Sequence, residues 1–311
     1  MGEWSKSVGE KGEKLLKFLF EDILNYNSLI ENKSIDCVHG QKHMEAKSER
    51  TTHGLDGVVS YVSPLEDATI DIGIISSKYE SKEYLKYPST KFKSHIKNLA
   101  QTIECFHNSK LKNSINKNFS SDIRKTEVIG VLLWLSNESN LDFELTSKVA
   151  NIQLDDDYLV DKIILVDNHR INFLFESIYS TIQKYGIDKV NFVYHDTGIN
   201  NIKYQENTFG KVFPLNYMYS DVILLRVENT NDIEFHIYVN DDFDEMQFVE
   251  MLNFAQSFDN LNAAKKVVLF YKNYDYLNFE SLVKEKLSQF NNYRLDKNLQ
   301  LRKFPADFRN K

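Results

Sequence analysis

The sequence predicts an α/β fold, a mixed sheet flanked by helices with a second, smaller α/β unit after it. Three observations carry this. Runs of β-branched and aromatic residues, among them Val58 to Val62, Thr69 to Ser77 and Val128 to Leu135, alternate with stretches whose apolar residues recur every three or four positions. Only four prolines and eleven glycines interrupt 311 residues. Hydrophobic residues at 42% and aromatics at 13% supply an ample core and exclude a disordered chain.

Residues 9–30 read as a helix, because Leu16, Leu19, Phe20 and Ile23 fall on one face. Glu13 sits on that core-facing side, where a carboxylate is either paired or functional; Glu10 reads more simply as a solvated acid favoured by the helix dipole, a reading that stays open for Glu13 too. Residues 31–52 are polar and read as an approach segment, with His39 and His43 in it and His53 just beyond. His53 precedes Asp56 by three residues and could bind phosphate or orient water, an ordinary surface histidine being the alternative.

Val58 to Val62 and Thr69 to Ser77 flank the breaker-rich turn Ser63-Pro64-Leu65-Glu66-Asp67, a β-hairpin signature. Asp56 stands at the entrance of the first strand beside Gly57, whose lack of a side chain permits close approach. Period-two geometry puts Ser76 and Lys78 on the face of Ile72 and Ile74, with Asp71 on the other. Lys78 then emerges at a strand end next to Asp56. A carboxylate that holds a divalent cation and a lysine that steadies the attacking water or the developing charge are what phosphodiester hydrolysis requires.

Thr90 can start a helix with the apolar stripe Phe92, Ile96, Leu99, Ile103 and Phe106, leaving Lys91, Lys93 and Lys97 on its other faces to hold phosphates. Residues 107–127 read as a lysine-rich loop, and Val128 to Leu135 as a strand buried on both faces. Asp155, Asp156, Asp157 and Asp161 read as a solvated turn, since no glycine-spaced calcium loop accompanies them. A strand at 162–166, a helix at 171–185 and a strand at 189–194 complete a first domain of residues 1–200, closed by the turn Thr197-Gly198-Ile199-Asn200-Asn201. Residues 201–311 read as a separate α/β domain: strands at 221–227 and 234–239, a helix at 243–258, a strand at 266–271 and a helix at 279–290. Its cluster Asp241, Asp242, Asp244 and Glu245 reads as a stabilised helix start.

The net charge is −7, yet from Lys78 to Lys125 eleven Lys or Arg face four acids, so a basic segment follows the candidate site directly. Cys37 and Cys105 have neither a paired nor a metal-ligand spacing, so no zinc site is readable and a reducing cytoplasm is expected. The charged start Met1-Gly2-Glu3-Trp4-Ser5-Lys6 is unlike a signal peptide, and no apolar run approaches a membrane span. Neither a phosphate-binding loop, a dinucleotide turn, a hydrolase elbow nor an internal repeat is present.

An aspartate on one hairpin strand and Ser76-Ser77-Lys78 on the next, after an opening helix with Gly9-Glu10-Lys11-Gly12-Glu13 and before a basic helix and a buried strand, resembles the PD-(D/E)XK, or restriction-endonuclease-like, superfamily. The resemblance covers roughly the first half of the chain. It implies a restriction-endonuclease-like mixed sheet and a Mg2+- or Mn2+-dependent endonuclease acting on DNA, with RNA as the alternative substrate. By the same resemblance Asp56 is the principal metal ligand, Glu13 the second carboxylate, Ser77 the donor of a backbone carbonyl and Lys78 the catalytic lysine. Ser76 stands where the superfamily usually carries an acid, which opens a second reading, an inactive scaffold that binds nucleic acid or protein. Gln101 is followed by Cys105 where some exonuclease-like branches carry tyrosine, so that subfamily is not assigned. By analogy, an unaccompanied nuclease domain of this kind often belongs to a restriction or anti-phage system and is gated by a partner, with the C-terminal domain as the surface for that partner or for self-association.

Overall fold

A computed structural model describes residues 2–44, 48–119, 122–154, 158–195, 208–230, 232–256, 264–290 and 298–305. The acids at 155–157 and the turn at 197–201 lie outside them. The chain divides into two compact units, Met1–Asn172 with Val212–Tyr219, and Phe173–Lys211 with Ser220–Lys311. Whereas the sequence reading closes the first domain near residue 200, the first unit runs to Asn172 and takes in Val212–Tyr219. There Tyr61 OH accepts from the Leu215 N–H (2.7 Å), and the Tyr26 hydroxyl donates to the Phe213 carbonyl.

In the first unit, helix α1 (Gly2–Lys17) passes into a wider π-helical turn, Phe18–Ile23, that buries Leu19, Phe20 and Ile23. The helix expected to reach residue 30 stops here. Next come β1 (Ile30–Asp36), β2 (Thr52–Val62) and β3 (Thr69–Glu80). Helices α2 (Ser89–Phe106) and α3 (Lys110–Lys117) lead to β4 (Lys125–Ser136), and α4 (Leu145–Val149) to β5 (Ile163–Val166). The five strands lie in sequence order, antiparallel across β1, β2 and β3 and parallel across β3, β4 and β5. The expected mixed sheet flanked by helices is therefore the observed one.

The elements follow from the residues. β2 and β3 pair from Gly57 with Ile75 to Val62 with Ile70, so Ile72 and Ile74 enter the core under α2, whose stripe Phe92, Ile96, Leu99, Ile103 and Phe106 is buried on them. β4 is buried from Val128 to Ser136, as its continuous apolar run requires at a sheet centre. Two features contradict the expected loops. β1 occupies part of the polar approach segment, since an edge strand can leave Asn32, Lys33 and Ser34 in water. α3 occupies part of the lysine-rich run, with Ser109 Oγ accepting from the Lys112 N–H and Ile115 as its buried anchor.

Two buried carboxylates in this unit have measurable consequences. Asp167, 1% exposed, accepts from the Leu145 N–H (2.8 Å) and the Thr146 N–H (3.3 Å) at the start of α4. It also accepts from the Arg170 N–H (2.9 Å) at the start of the helix α5 (Asn168–Leu174). One side chain thus caps two helices, and Asp167→Ala is expected to cost about 2–4 kcal/mol by urea denaturation, above a single surface cap. Asp71, also 1% exposed, faces Glu127 across the β3–β4 ladder and has an Oδ2 with no hydrogen-bond partner among the described residues. Burial raises its pKa from 3.8 to about 6. The folded state therefore keeps a proton that the unfolded chain releases, and stability is lost as pH rises from about 4 to about 6. Asp71→Asn removes that loss, so its stability relative to wild type should grow by about 3 kcal/mol between pH 4 and pH 7.

The second unit is also α/β. The strands β6 (Val190–Val193), β7 (Phe209–Gly210), β8 (Val222–Glu228), β9 (Ile233–Val239), β10 (Lys266–Tyr271) and β11 (Leu299–Lys303) form one sheet of order β11-β10-β9-β8-β6-β7. Helix α6 (Ser180–Tyr185) precedes β6, and α7 (Glu245–Gln256) and α8 (Tyr276–Phe290) flank β10 in sequence and bury Phe248, Leu252 and Val283. The acidic cluster at 241–245 does start a helix: Asp244 Oδ1 accepts from the Gln247 N–H at 2.9 Å. Among the described residues no helix is long and apolar enough to cross a membrane.

Candidate active site

β2 at Asp56, the C-terminal end of β3, one face of α1 and the first turns of α2 enclose a cleft of about 370 Å3. Gly12 lets α1 lie close against β3, since a Cβ there would meet the Tyr79 Cβ at 3.0 Å. The cleft is lined by Glu13 from α1, Asp56 from β2, Ser77, Lys78, Tyr79 and Glu80 from β3, and Lys91 and His95 from α2.

Asp56 is held from two sides. Its Oδ2 accepts from the Ser77 backbone N–H at 2.7 Å and stands 3.6 Å from Lys78 Nζ. Both side chains keep partial contact with solvent, 40% for Asp56 and 33% for Lys78, as groups that must meet a substrate require. The hairpin register produces this meeting: with Gly57 opposite Ile75, Asp56 falls at the level where β3 passes from buried Ile75 to half-buried Ser77 and Lys78. Glu13 lines the same cleft but is exposed, a correction to its expected core-facing position; the core side of α1 is taken by Gly12 and Leu16, and Glu13 lies just beside it. Among the described residues Glu13 has no ion-pair partner.

The other candidates divide. Lys91 lines the cleft and pairs with Glu80 at 2.7 Å. Lys93 and Lys97 are exposed and, at about 100° per residue, project from the opposite side of α2, so they cannot join Lys91 on one phosphate. Ser76 is half-buried and does not line the cleft. His53 is wholly buried, and burial lowers its pKa to about 4, with Arg50 and His43 adding to the effect. A neutral imidazole inside the protein cannot attract phosphate, so its expected role there is withdrawn. It lies beside Cys37, His43 and Cys105, their donor atoms all within 4.8 Å of one another, a grouping that the sequence spacing does not reveal.

Two cleft residues escaped the sequence reading. Glu80 follows Lys78 by two positions on the same strand face, and its carboxylate accepts from the indole N–H of buried Trp134 as well as from Lys91. His95 follows Lys91 by four positions on the same helix face and meets the Trp134 ring edge-on at 4.9 Å between centroids. Burial, with Lys78 and Lys91 nearby, lowers the His95 pKa to about 4, so the ring is neutral at pH 7. Spacings of two on a strand and four on a helix could have found both.

A divalent cation fits this donor set. Three carboxylates (Glu13, Asp56 and Glu80) share the cleft with only two ammonium groups and a neutral imidazole, and Mg2+ is held by one or two carboxylates with its remaining positions filled by water and substrate oxygens. Among known proteins, no curated protein and no solved structure matches the chain. Residues 1–170 match the model of the GAPS4 protein PD-(D/E)XK nuclease domain, more than half of the sequence and the whole of the sheet that carries the cleft. The chain therefore belongs to the GAPS4 PD-(D/E)XK nuclease domain family.

Proposed function

We propose that the protein is a Mg2+- or Mn2+-dependent endonuclease that hydrolyses DNA phosphodiester bonds at the cleft between α1 and the β2–β3 hairpin. The observation that carries this reading is the convergence of Asp56, Lys78 and Glu13, from three separate elements, on one solvent-open cleft. Asp56 and Glu13 would hold the cation, with the Ser77 carbonyl as a third donor; when bound, it polarises a phosphoryl oxygen and makes a water more acidic. The Ser77 N–H fixes the Asp56 carboxylate so that its oxygens are aimed before substrate arrives. Lys78, beside that carboxylate, orients the attacking water and offsets charge developing on the phosphorus oxygens. Lys91 draws a phosphate into the cleft once Glu80 yields it. Lys93 and Lys97 would contribute only along a nucleic acid path over the outer face of α2.

The experiment compares wild type, Asp56→Ala and Lys78→Ala on plasmid DNA, linear duplex DNA and RNA with Mg2+ or Mn2+. Cleavage of DNA by wild type alone supports the reading, and preferential RNA cleavage reassigns the substrate. A second reading, a scaffold that binds nucleic acid or a protein partner, is favoured by Ser76 in place of an acid, and wild type without activity in every arm would support it. We place the protein in the cytoplasm in a restriction or anti-phage system, gated by a partner or by self-association through the C-terminal α/β unit. The family match and the separate compactness of that unit support this placement.

A further inference from the structure

Cys37, His43, His53 and Cys105, drawn from four separate segments, bring their side chains together. They stand six, ten and fifty-two residues apart in sequence. Cys37 follows β1, His43 lies in the turn after it, His53 is the second residue of β2, and Cys105 is in the last turn of α2. His43, His53 and Cys105 are buried and Cys37 is half-buried.

The four donor atoms all lie within 4.8 Å of one another, and four of their six separations match the edges of a coordination tetrahedron. Zn–S bonds of about 2.3 Å and Zn–N bonds of about 2.0–2.1 Å at tetrahedral angles set the donors apart by about 3.8 Å (S to S), about 3.6 Å (S to N) and about 3.3 Å (N to N). Here the two sulfurs are 3.8 Å apart. His43 Nδ1 is 3.5 Å from Cys37 Sγ, 3.4 Å from Cys105 Sγ and 3.3 Å from His53 Nε2.

The outer nitrogens of both rings are held as metal-bound histidines hold theirs. His43 Nε2 is 3.0 Å from the Glu104 carboxylate, and His53 Nδ1 is 3.3 Å from Thr102 Oγ1. In the tautomer whose Nε2–H donates to Glu104, His43 Nδ1 turns a lone pair toward two sulfurs and a second imidazole. Without a cation the four groups have only weak S–H hydrogen bonds and one another's lone pairs in this buried site, whereas a cation at their centre satisfies all four donors at once.

We propose that Cys37 and Cys105, as thiolates, and His43 through Nδ1 with His53 through Nε2 bind one zinc ion in a closed structural site, separate from the nuclease cleft. Two soft sulfurs and two imidazoles select zinc over Mg2+, and four protein ligands leave no position for substrate. The ion ties the start of β2, three residues ahead of Asp56, to the end of the helix that carries Lys91 and His95. It thereby fixes the strand and the helix that frame the cleft.

The test is metal analysis of the full chain, purified without a polyhistidine tag and without chelator. About one zinc per chain is expected in wild type and in Asp56→Ala, falling by about tenfold or more in Cys37→Ser and Cys105→Ser. Should those variants fail to fold, wild type reloaded with Co2+ serves instead: the strong visible bands of a tetrahedral site with sulfur-to-cobalt charge transfer are expected, and chelation should lower Tm by roughly 10 °C or more. Wild type without zinc, whether its cysteines prove to be free thiols or a disulfide, overturns the proposal. So does zinc that survives Cys37→Ser undiminished, or a weak octahedral cobalt spectrum.

Discussion

Asp56→Ala is expected to reduce metal-dependent DNA cleavage by about 10²- to 10³-fold or more, with the fold intact. The argument is geometric. Asp56 is the carboxylate whose aim is fixed by a backbone N–H, at 2.7 Å from Ser77, and it lies 3.6 Å from the lysine assigned to the attacking water. Its removal takes away the carboxylate proposed to hold the cation and leaves Lys78 without its ion-pair partner. Because the side chain is 40% exposed, the Ser77 N–H can turn to water and the loss of stability stays within about 1 kcal/mol. Lys78→Ala should cost about 10²-fold, and the double variant little more than Asp56→Ala, since residues that act as a unit do not add. Single-turnover cleavage beside a thermal melt separates these losses from unfolding.

Trp134→Ala is the largest stability effect expected, about 3–5 kcal/mol by urea denaturation. Trp134 is fully buried in β4, opposite Lys78 in the parallel ladder with β3. Its indole N–H holds the Glu80 carboxylate, and its ring packs edge-on against His95 and Tyr84. Its own backbone carbonyl is 2.7 Å from the Tyr84 hydroxyl, which accepts from the Asn168 N–H at 3.2 Å. Truncation leaves a cavity beneath the cleft, frees Glu80 and lets His95 shift, so activity should fall with stability. Trp134→Phe keeps most of the volume but not the N–H; it should recover most of the stability while the Glu80 contact remains lost. A loss below about 1 kcal/mol for Trp134→Ala would show that the site does not rest on this side chain.

The legible part of the fold was the part in which one face of an element is wet and the other dry. Alternation marked β2 and β3, a helical stripe marked α2, and the Asp56–Lys78 pair followed from hairpin register alone. β1 was hidden because an edge strand can carry Glu31, Asn32, Lys33 and Ser34 at little cost, and α3 because Ile115 is its one buried anchor among lysines and asparagines. The apolar stripe of α1 does not separate Glu13 from the core side, because it is buried Gly12, one position earlier, that lies against β3. The Cys–His cluster had no sequence signature, since its last ligand comes from a helix beyond the hairpin; only the packing of α2 against β2 brings Cys105 to His53.

The most direct measurement of the central claim is Mn2+ binding followed by electron paramagnetic resonance, with a non-cleavable DNA duplex supplying the phosphates and the zinc content held constant. Wild type is expected to bind one or two Mn2+ per chain, as phosphoryl-transfer sites of this kind do, and Asp56→Ala and Glu13→Gln to bind less in proportion to the carboxylate lost. Equal Mn2+ binding by wild type and by the Asp56→Ala, Glu13→Gln double variant would contradict the assignment of the cleft as the metal-dependent centre.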